Sequence, residues 1–338
     1  MLVFRFQGSD LARLRFAISP LVELHRSVRV LDDPGAQALH LPWIVEMRHE
    51  LADLDLDLLR ALAPPRAYTP DFIHPPPRTP LAELEDELAE LTSTPPAHVR
   101  GEIRTAYRRT GVPPRLEPFL DDPSAAVAAL AELLREYWRR ALAPHWDRLL
   151  SLLEGDVLYR ARRLADAGAR GLFADMHPEL AFADGELRVE KPFEETVALG
   201  GRGLVFVPSA FAWPLLVAIT RPPWQPTLIY PARGVGALWD PDRTAPPEAL
   251  QALLGNRRAS VLGALDVPRS TTELSHRLEI SPGSVSQHLT VLRAAGLVDG
   301  HRVGRSVLYV RSALGDHLAG AASSEAAHRS VAVGDDQR

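Results

Sequence analysis

The side chains whose types and spacing could do chemistry lie towards the C-terminal end. They are found in Ser281-Pro-Gly-Ser-Val-Ser-Gln-His-Leu289 and at Arg302 and Arg305. Ser281 followed by Pro282 reads as a helix start, a capping hydroxyl and then a proline where the missing N–H costs nothing. The helix is expected to reach about Ala294, with Gly296 placed to close it. Val285, Leu289 and Leu292 fall at helical spacing and must face a core. Gly283, Ser284, Ser286, Gln287 and Thr290 are then left nearer solvent. Small residues at a helix N-terminus permit close approach to the floor of a major groove. A glutamine amide can bond an adenine edge twice, and serine hydroxyls serve bases or phosphates. Free amides at the same helix start suit a phosphate. Arg302 and Arg305 could reach backbone phosphates or a minor groove.

Those side chains need elements to hold them. Asn256 is expected to cap a helix running to Leu265, with Val261, Leu262 and Leu265 at core spacing. Ser270-Thr-Thr-Glu273 is a capping box that opens a two-turn helix, Thr271–Leu278. Glu279-Ile280 gives a short break before Ser281. Two helices joined by so short a turn, the second Ser-headed and longer, form a helix-turn-helix pattern. Leu297-Val298 and Val307–Val310 are strand-like and bracket the polar hairpin Asp299–Ser306, a wing.

Leu254–Leu262, Ser281–Val298 and Gly304-Arg-Ser-Val-Leu-Tyr309 together resemble the opening helix, recognition helix and wing end of ArsR-family regulators. The resemblance covers roughly Pro247 to Leu314. It implies a winged-helix fold, a homodimer on a pseudo-palindromic double-stranded operator, and repression relieved by a signal. By the same resemblance Gly283, Ser286 and Gln287 stand where such proteins contact bases. His288 and Leu289 match a recurrent pair, and His288 reads equally well as a helix-packing residue. The segment Pro226–Arg233 looks like an uncharacterised domain that precedes such winged helices, which carries no chemistry.

Composition bounds the alternatives. The 338 residues contain no Cys, which removes disulfides, thiol catalysis and the cysteine metal sites of many ArsR relatives. A second kind of family site uses Asp and His. Here Asp316 directly adjoins His317, eleven before His328, where that site has one intervening residue, so no metal is expected. Walker, G-x-S-x-G, HExxH and GxGxxG motifs are all missing, and Gly200-Gly-Arg-Gly203 leads into a strand-like run. Neither an enzyme nor a cofactor is expected. Asp175 and His177 are the one pair that could meet in a cleft, and Phe206, Phe211, Trp213, Trp224 and Tyr230 read as core. The net charge of −5 is uneven: residues 247–315 carry 8 Arg against 5 acidic residues, while residues 1–246 are net −6. A polyanion is attracted to one segment only. No apolar run reaches the ~20 residues of a membrane span, and the N-terminus is a poor signal peptide, so a cytoplasmic protein is expected.

The rest of the chain reads as a helical N-terminal domain over 1–240, which would sense an unknown small-molecule effector; the alternatives are that it binds a protein partner or only dimerises, and, behind these, that it is an enzyme with an attached DNA-binding domain. Helical spacing appears at Asp10–Phe16, Pro20–Leu31, Ala36–Leu62, Leu81–Leu91, Ala97–Arg109 and Ser124–Leu153, the last broken near Pro144. The Pro-rich stretch Pro64–Pro80 reads as an exposed linker or loop. A β-containing region is expected over 171–235, signalled by the hairpin pair Asp184-Gly185. A linker at 241–247, a winged helix at 248–318 and a disordered tail at 319–338 complete the plan. The fold class is mainly α with a small β region and a C-terminal winged helix-turn-helix.

Overall fold

The computed structural model describes residues 1–63, 68–239, 248–303, 306–312, 314–316 and 318–319. The expected linker at 241–247 and the tail from 320 lie outside the described residues, as do Arg305, His317 and His328. The chain divides into two compact units, Met1–Leu153 with Val157–Arg233, and Gly234–Arg338 with the short segment Glu154–Asp156. The fold is mainly α.

The first unit carries these helices among the described residues: α1 (Pro20–Asp32), α2 (Leu41–Glu50), α3 (Leu56–Leu62), α4 (Leu84–Thr92), α5 (Pro96–Ala106), α6 (Pro118–Asp121), α7 (Pro123–Ala141) and α8 (Trp146–Phe173), the last broken by a kink at Ala167 and Gly168. The run from Ala36 to Leu62 is two helices rather than one, because the chain turns at Leu51–Leu54. The break expected near Pro144 is a single 3-10 turn, Ala143–His145. Helix α1 is buried on nearly every side. The Ser19 hydroxyl caps the Val22 amide, and the Glu87 carboxylate takes the Ser19 hydroxyl and the Leu21 amide. Ser27 meets the Tyr137 hydroxyl at 2.8 Å, locking α1 to α7.

Eight short strands build two sheets. Strands β1 (Leu2–Arg5), β3 (Leu180–Ala183), β4 (Glu186–Val189) and β5 (Glu195–Ala198) pair in the order β3-β4-β1-β5. Strands β2 (Arg15–Phe16), β6 (Val205–Ser209), β7 (Val217–Ile219) and β8 (Thr227–Pro231) pair as β2-β6-β8-β7. The Asp184-Gly185 turn joins β3 to β4, both residues at positive φ as a tight hairpin requires. Leu2, Phe4, Leu187, Phe206, Leu228 and Tyr230 close a core with Leu172 and Phe173 of α8. Each such side chain contributes roughly 1.5–3 kcal/mol of burial.

Three expectations change here. Asp10–Phe16 is not a helix but a 3-10 turn followed by β2, and β1 precedes it. The β region is therefore completed by the first sixteen residues, which sit in both sheets. The Pro-rich stretch is buried over most of its described part: Phe72 and Ile73 are fully buried, Pro75, Pro76 and Pro77 are buried beside them, and exposure returns only at Arg78, Thr79 and Pro80. Prolines have no amide to satisfy, so such a run packs inside without orphaning donors. Trp213 is the exception among the aromatic residues expected in the core, at 46% exposed, while Phe206, Phe211, Trp224 and Tyr230 are buried.

The Gly200–Gly203 loop is structural. Gly203 has φ +71°, its amide donates to the buried Asp10 carboxylate at 3.0 Å, and a Cβ there would stand 2.2 Å from the Arg13 carbonyl. Asp175 does not pair with His177. It takes the Arg160 guanidinium and the Tyr159 hydroxyl, while His177 meets the Pro214 carbonyl and the Glu179 amide.

Candidate nucleic-acid interface

In the second unit, α9 (Glu248–Leu254) and α10 (Asn256–Gly263) precede β9 (Arg269–Ser270) and α11 (Thr271–Leu278). Helix α12 (Pro282–Ala294) and the strands β10 (Val298–Val303) and β11 (Ser306–Arg311) complete it. Asn256 is the first helical residue and not the cap: the capping position is Gly255, at φ +78°. The Ser270–Glu273 capping box is formed in both directions, at 3.2 and 2.6 Å. Glu279 makes the turn in the left-handed region, φ +52°, and Ser275 bonds the Ile280 carbonyl and amide across it.

Helix α12 starts and stops as its sequence dictates. The Ser281 hydroxyl accepts the Ser284 amide at 3.2 Å, with Pro282 at the first position. At the other end Gly296, φ +70°, donates to the Arg293 carbonyl and Leu297 to the Leu292 carbonyl, both at 2.9 Å. That pair of bonds is a Schellman closure, and the side chains of Leu292 and Leu297 are buried against it. Val285, Leu289 and Leu292 are at most 1% exposed, packed with Leu262, Leu265 and Leu274. One face of α12 is thus fixed, so the opposite face is fixed as well.

That opposite face presents Gly283, Ser286 and Gln287, all exposed. A Cβ on Gly283 would meet nothing within 4 Å, so the helix start lies open. Ser281 is exposed, while Ser284 and His288 are half-buried and face each other at 3.4 Å between Oγ and Nε2. The Thr290 hydroxyl returns to the Ser286 carbonyl at 2.8 Å. The supply of free amides at this end is smaller than expected. Pro282 has none, those of Ser284 and Val285 are taken by Ser281, and Gly283 keeps the free one.

Strands β10 and β11 pair antiparallel from Val298↔Arg311 to Val303↔Ser306, so the hairpin expected as polar loop is strand nearly to its tip. Strand β9 adds a third strand through Leu308↔Ser270, and no sequence signal marked it. Arg302 lies exposed opposite Val307, two residues before the tip. Two arginines of the basic excess are structural: Arg269 holds the Ala264 carbonyl, and Arg311 pairs with Asp316 at 2.9 Å. Arg293 is exposed on α12, at i+7 from Ser286 and i+3 from Thr290. Sequence reading passed over it, although its place on that row was visible.

Comparisons with known proteins meet this geometry. Residues 257–301 match the family described as "Helix-turn-helix domain". HTH-type transcriptional repressor SmtB of Mycobacterium tuberculosis is 45% identical over 71 residues, 21% of this chain and 50% of that protein. The C-terminal unit is a winged helix-turn-helix similar to the ArsR type. Transcriptional activator HlyU of Vibrio cholerae is 42% identical over 64 residues, 19% of this chain and 59% of that protein. The chain therefore spans only about half the length of the curated relatives it matches. Ahead of the winged helix, residues 97–236 match the "Family of unknown function (DUF5937)", consistent with an uncharacterised N-terminal domain. Among the described residues no helix is long and apolar enough to cross a membrane.

Proposed function

We propose that this protein is a sequence-specific DNA-binding transcriptional regulator that acts as a homodimer. The observation that carries the reading is the exposed row Gly283, Ser286, Gln287 on a helix whose other face is locked into a core. Such a helix enters the major groove as a rigid body, so its exposed side chains read a fixed set of base edges. In this reading Gln287 and Ser286 contact bases, and Gly283 brings the backbone close. Ser281 and Ser284 serve phosphates at the helix start, His288 positions Ser284, and Arg302 and Arg305 hold the backbone from the wing. Arg293 adds a phosphate contact further along the helix. Repression is the sign we favour, following the relative named a repressor; the relative named an activator makes a reporter assay the arbiter. The N-terminal domain supplies the signal response.

The test is a mobility shift on the promoter of the protein's own operon, repeated across salt concentrations. A specific complex whose affinity falls steeply with salt is expected. Loss of any preference for that promoter over random duplex at every salt concentration would overturn the reading.

A further inference from the structure

Helix α1 carries a buried positive charge that meets no hydrogen bond or ion pair among the described residues, with Glu23 on the same helix as its attracting acid. Arg26 is 2% exposed, yet its guanidinium makes no hydrogen bond or ion pair among the described residues. An arginine stays charged under all ordinary conditions, and a buried, unpaired charge is among the most costly features a fold can hold. Beside it stand two buried imidazoles, His25 and His74, each 1% exposed, with ring centroids 5.8 Å apart and planes at 74°. His25 is held by the backbone of Ile73 and keeps Nε2 without a partner, and neither ring nitrogen of His74 has one. Four buried polar nitrogens on three adjacent side chains are therefore unanswered. Orphans of this kind are rare in folded proteins, and each calls for an explanation.

The chemistry of the cluster selects its partner. The guanidinium repels a metal ion, and no group of three or more metal-ligating residues occurs among the described residues to outweigh it. One permanent positive charge balances one negative charge, whereas a dianion would leave a buried charge uncompensated. The guanidinium fork matches the two oxygens of a carboxylate, and each imidazole can add a donor. The neighbouring strap His74-Pro-Pro-Pro77 offers no proline amides, so these side chains are the donors available. We infer that His25, Arg26 and His74 form a binding site for the carboxylate group of a small organic acid inside the N-terminal unit. Any effect of this site on DNA rests on the function proposed above; the binding itself does not.

Other charged groups set its pH dependence. Glu23 and Arg29 lie on α1 around Arg26, and His74 faces it from the strap. Burial holds both histidines neutral, and it raises Glu23 to about 8, so Glu23 ionises only in mild alkali. A bound carboxylate favours protonation of an imidazole, while ionised Glu23 opposes the carboxylate. Both effects tighten binding as pH falls.

Calorimetric titration of the full chain with sodium propionate, in two buffers of different ionisation heat, reads this directly. We expect saturable binding with proton uptake, strengthening by up to about tenfold per pH unit from pH 8 to 6. Arg26→Met should abolish binding and raise Tm by about 2 °C or more, because it removes an unanswered buried charge without changing volume much. His74→Phe should retain binding with a shallower pH slope. Absence of propionate binding by the unaltered protein would overturn the site. So would tighter binding of phosphate or chloride than of propionate, or an Arg26→Met protein that is folded but less stable. Propionate binding without any change in the mobility shift supports the site and counts against signal response in the proposed function alone.

Discussion

The carboxylate of Glu23 receives the amide of Ala210 at both oxygens, 3.1 and 3.2 Å, across 187 positions of sequence. The contact ties the first turn of α1 to the residue that follows β6, and its full burial lifts the acid to about 8. Glu87, burial-raised to about 8, and Asp71, burial-raised to about 7, share this behaviour. An acid whose folded value is raised gives stability that is present below its ordinary value, near 4.5 or 3.8, and is lost as pH climbs through the folded value. The buried histidines act the other way. His40 at about 4, His74 at about 3 and His25, also far below 6.5, withdraw stability as pH falls beneath 6.5. Between about 4.5 and 6.5 the two sets oppose each other, and above 6.5 only the acids change. Urea denaturation should show a broad optimum ending near pH 6.5 and a decline towards pH 8 of about 1–2 kcal/mol per acid at most. Glu23→Gln keeps an acceptor for Ala210 and should flatten part of that decline. A stability that rises from pH 6.5 to 8 would contradict the burial argument.

The winged helix was legible because its signals are local. Ser270–Glu273, Ser281-Pro282, Gly296 and the spacing of Val285, Leu289 and Leu292 each specify a helix end or face within a few residues, and all agree. The N-terminal unit was legible in most of its helices and in the Asp184-Gly185 hairpin of its β region, but not in the strands that complete its sheets. Strands β1 and β2 pair with segments about 190 residues away, through parallel partners such as Leu2↔Glu195 and Arg15↔Val205, and no local pattern announces that. The Pro-rich strap misled for a different reason. Proline marks a chain without amides, and that is as compatible with the interior as with the surface. The cluster at Arg26 was invisible to spacing, since His25 and Arg26 are neighbours in a helix that is buried all round.

On the recognition helix, side chains that read bases and side chains that hold phosphates should separate under mutation. Gln287→Ala is expected to cost about 1–3 kcal/mol on the preferred site and much less on unrelated duplex, relaxing the preference. Arg302→Ala and Arg293→Ala should weaken binding evenly across sequences and reduce the salt slope by about one each. Affinities measured on matched and scrambled operators at several salt concentrations make the distinction. Equal losses on both duplexes for Gln287→Ala would remove it from the base-reading set.

The approach of Gly203 to Arg13 permits no side chain. Gly203→Ala would place a methyl 2.2 Å from a carbonyl oxygen and hold alanine at φ +71°, while the Asp10 carboxylate still draws the same amide inward. Backbone must move, so a loss of about 3 kcal/mol or more is expected. Gly200→Ala, at φ +60° with open space around it, should cost about 1–2 kcal/mol from conformation alone. Urea midpoints for the two variants separate clash from strain, and similar values would show that contact with Arg13 is not the limiting feature.

The turn before the recognition helix rests on Glu279 in the left-handed region, at φ +52° and ψ 41°, with its side chain exposed. A side chain there costs roughly 1–2 kcal/mol relative to glycine, less the unfolded-state entropy that glycine brings. Glu279→Gly should therefore leave stability near the starting value or slightly above it. Glu279→Val adds β-branching to the same backbone and should fall about 1–2 kcal/mol below the glycine variant. The comparison also bears on DNA binding, because the left-handed residue sets the angle between α11 and α12. Glycine preserves that angle and removes one exposed negative charge, so affinity for all duplexes should rise slightly with sequence preference intact. Valine pushes the turn towards extended backbone and should weaken the preferred site most. Denaturation midpoints together with operator affinities for the two variants decide the matter: equal stability would place Glu279 outside the left-handed region.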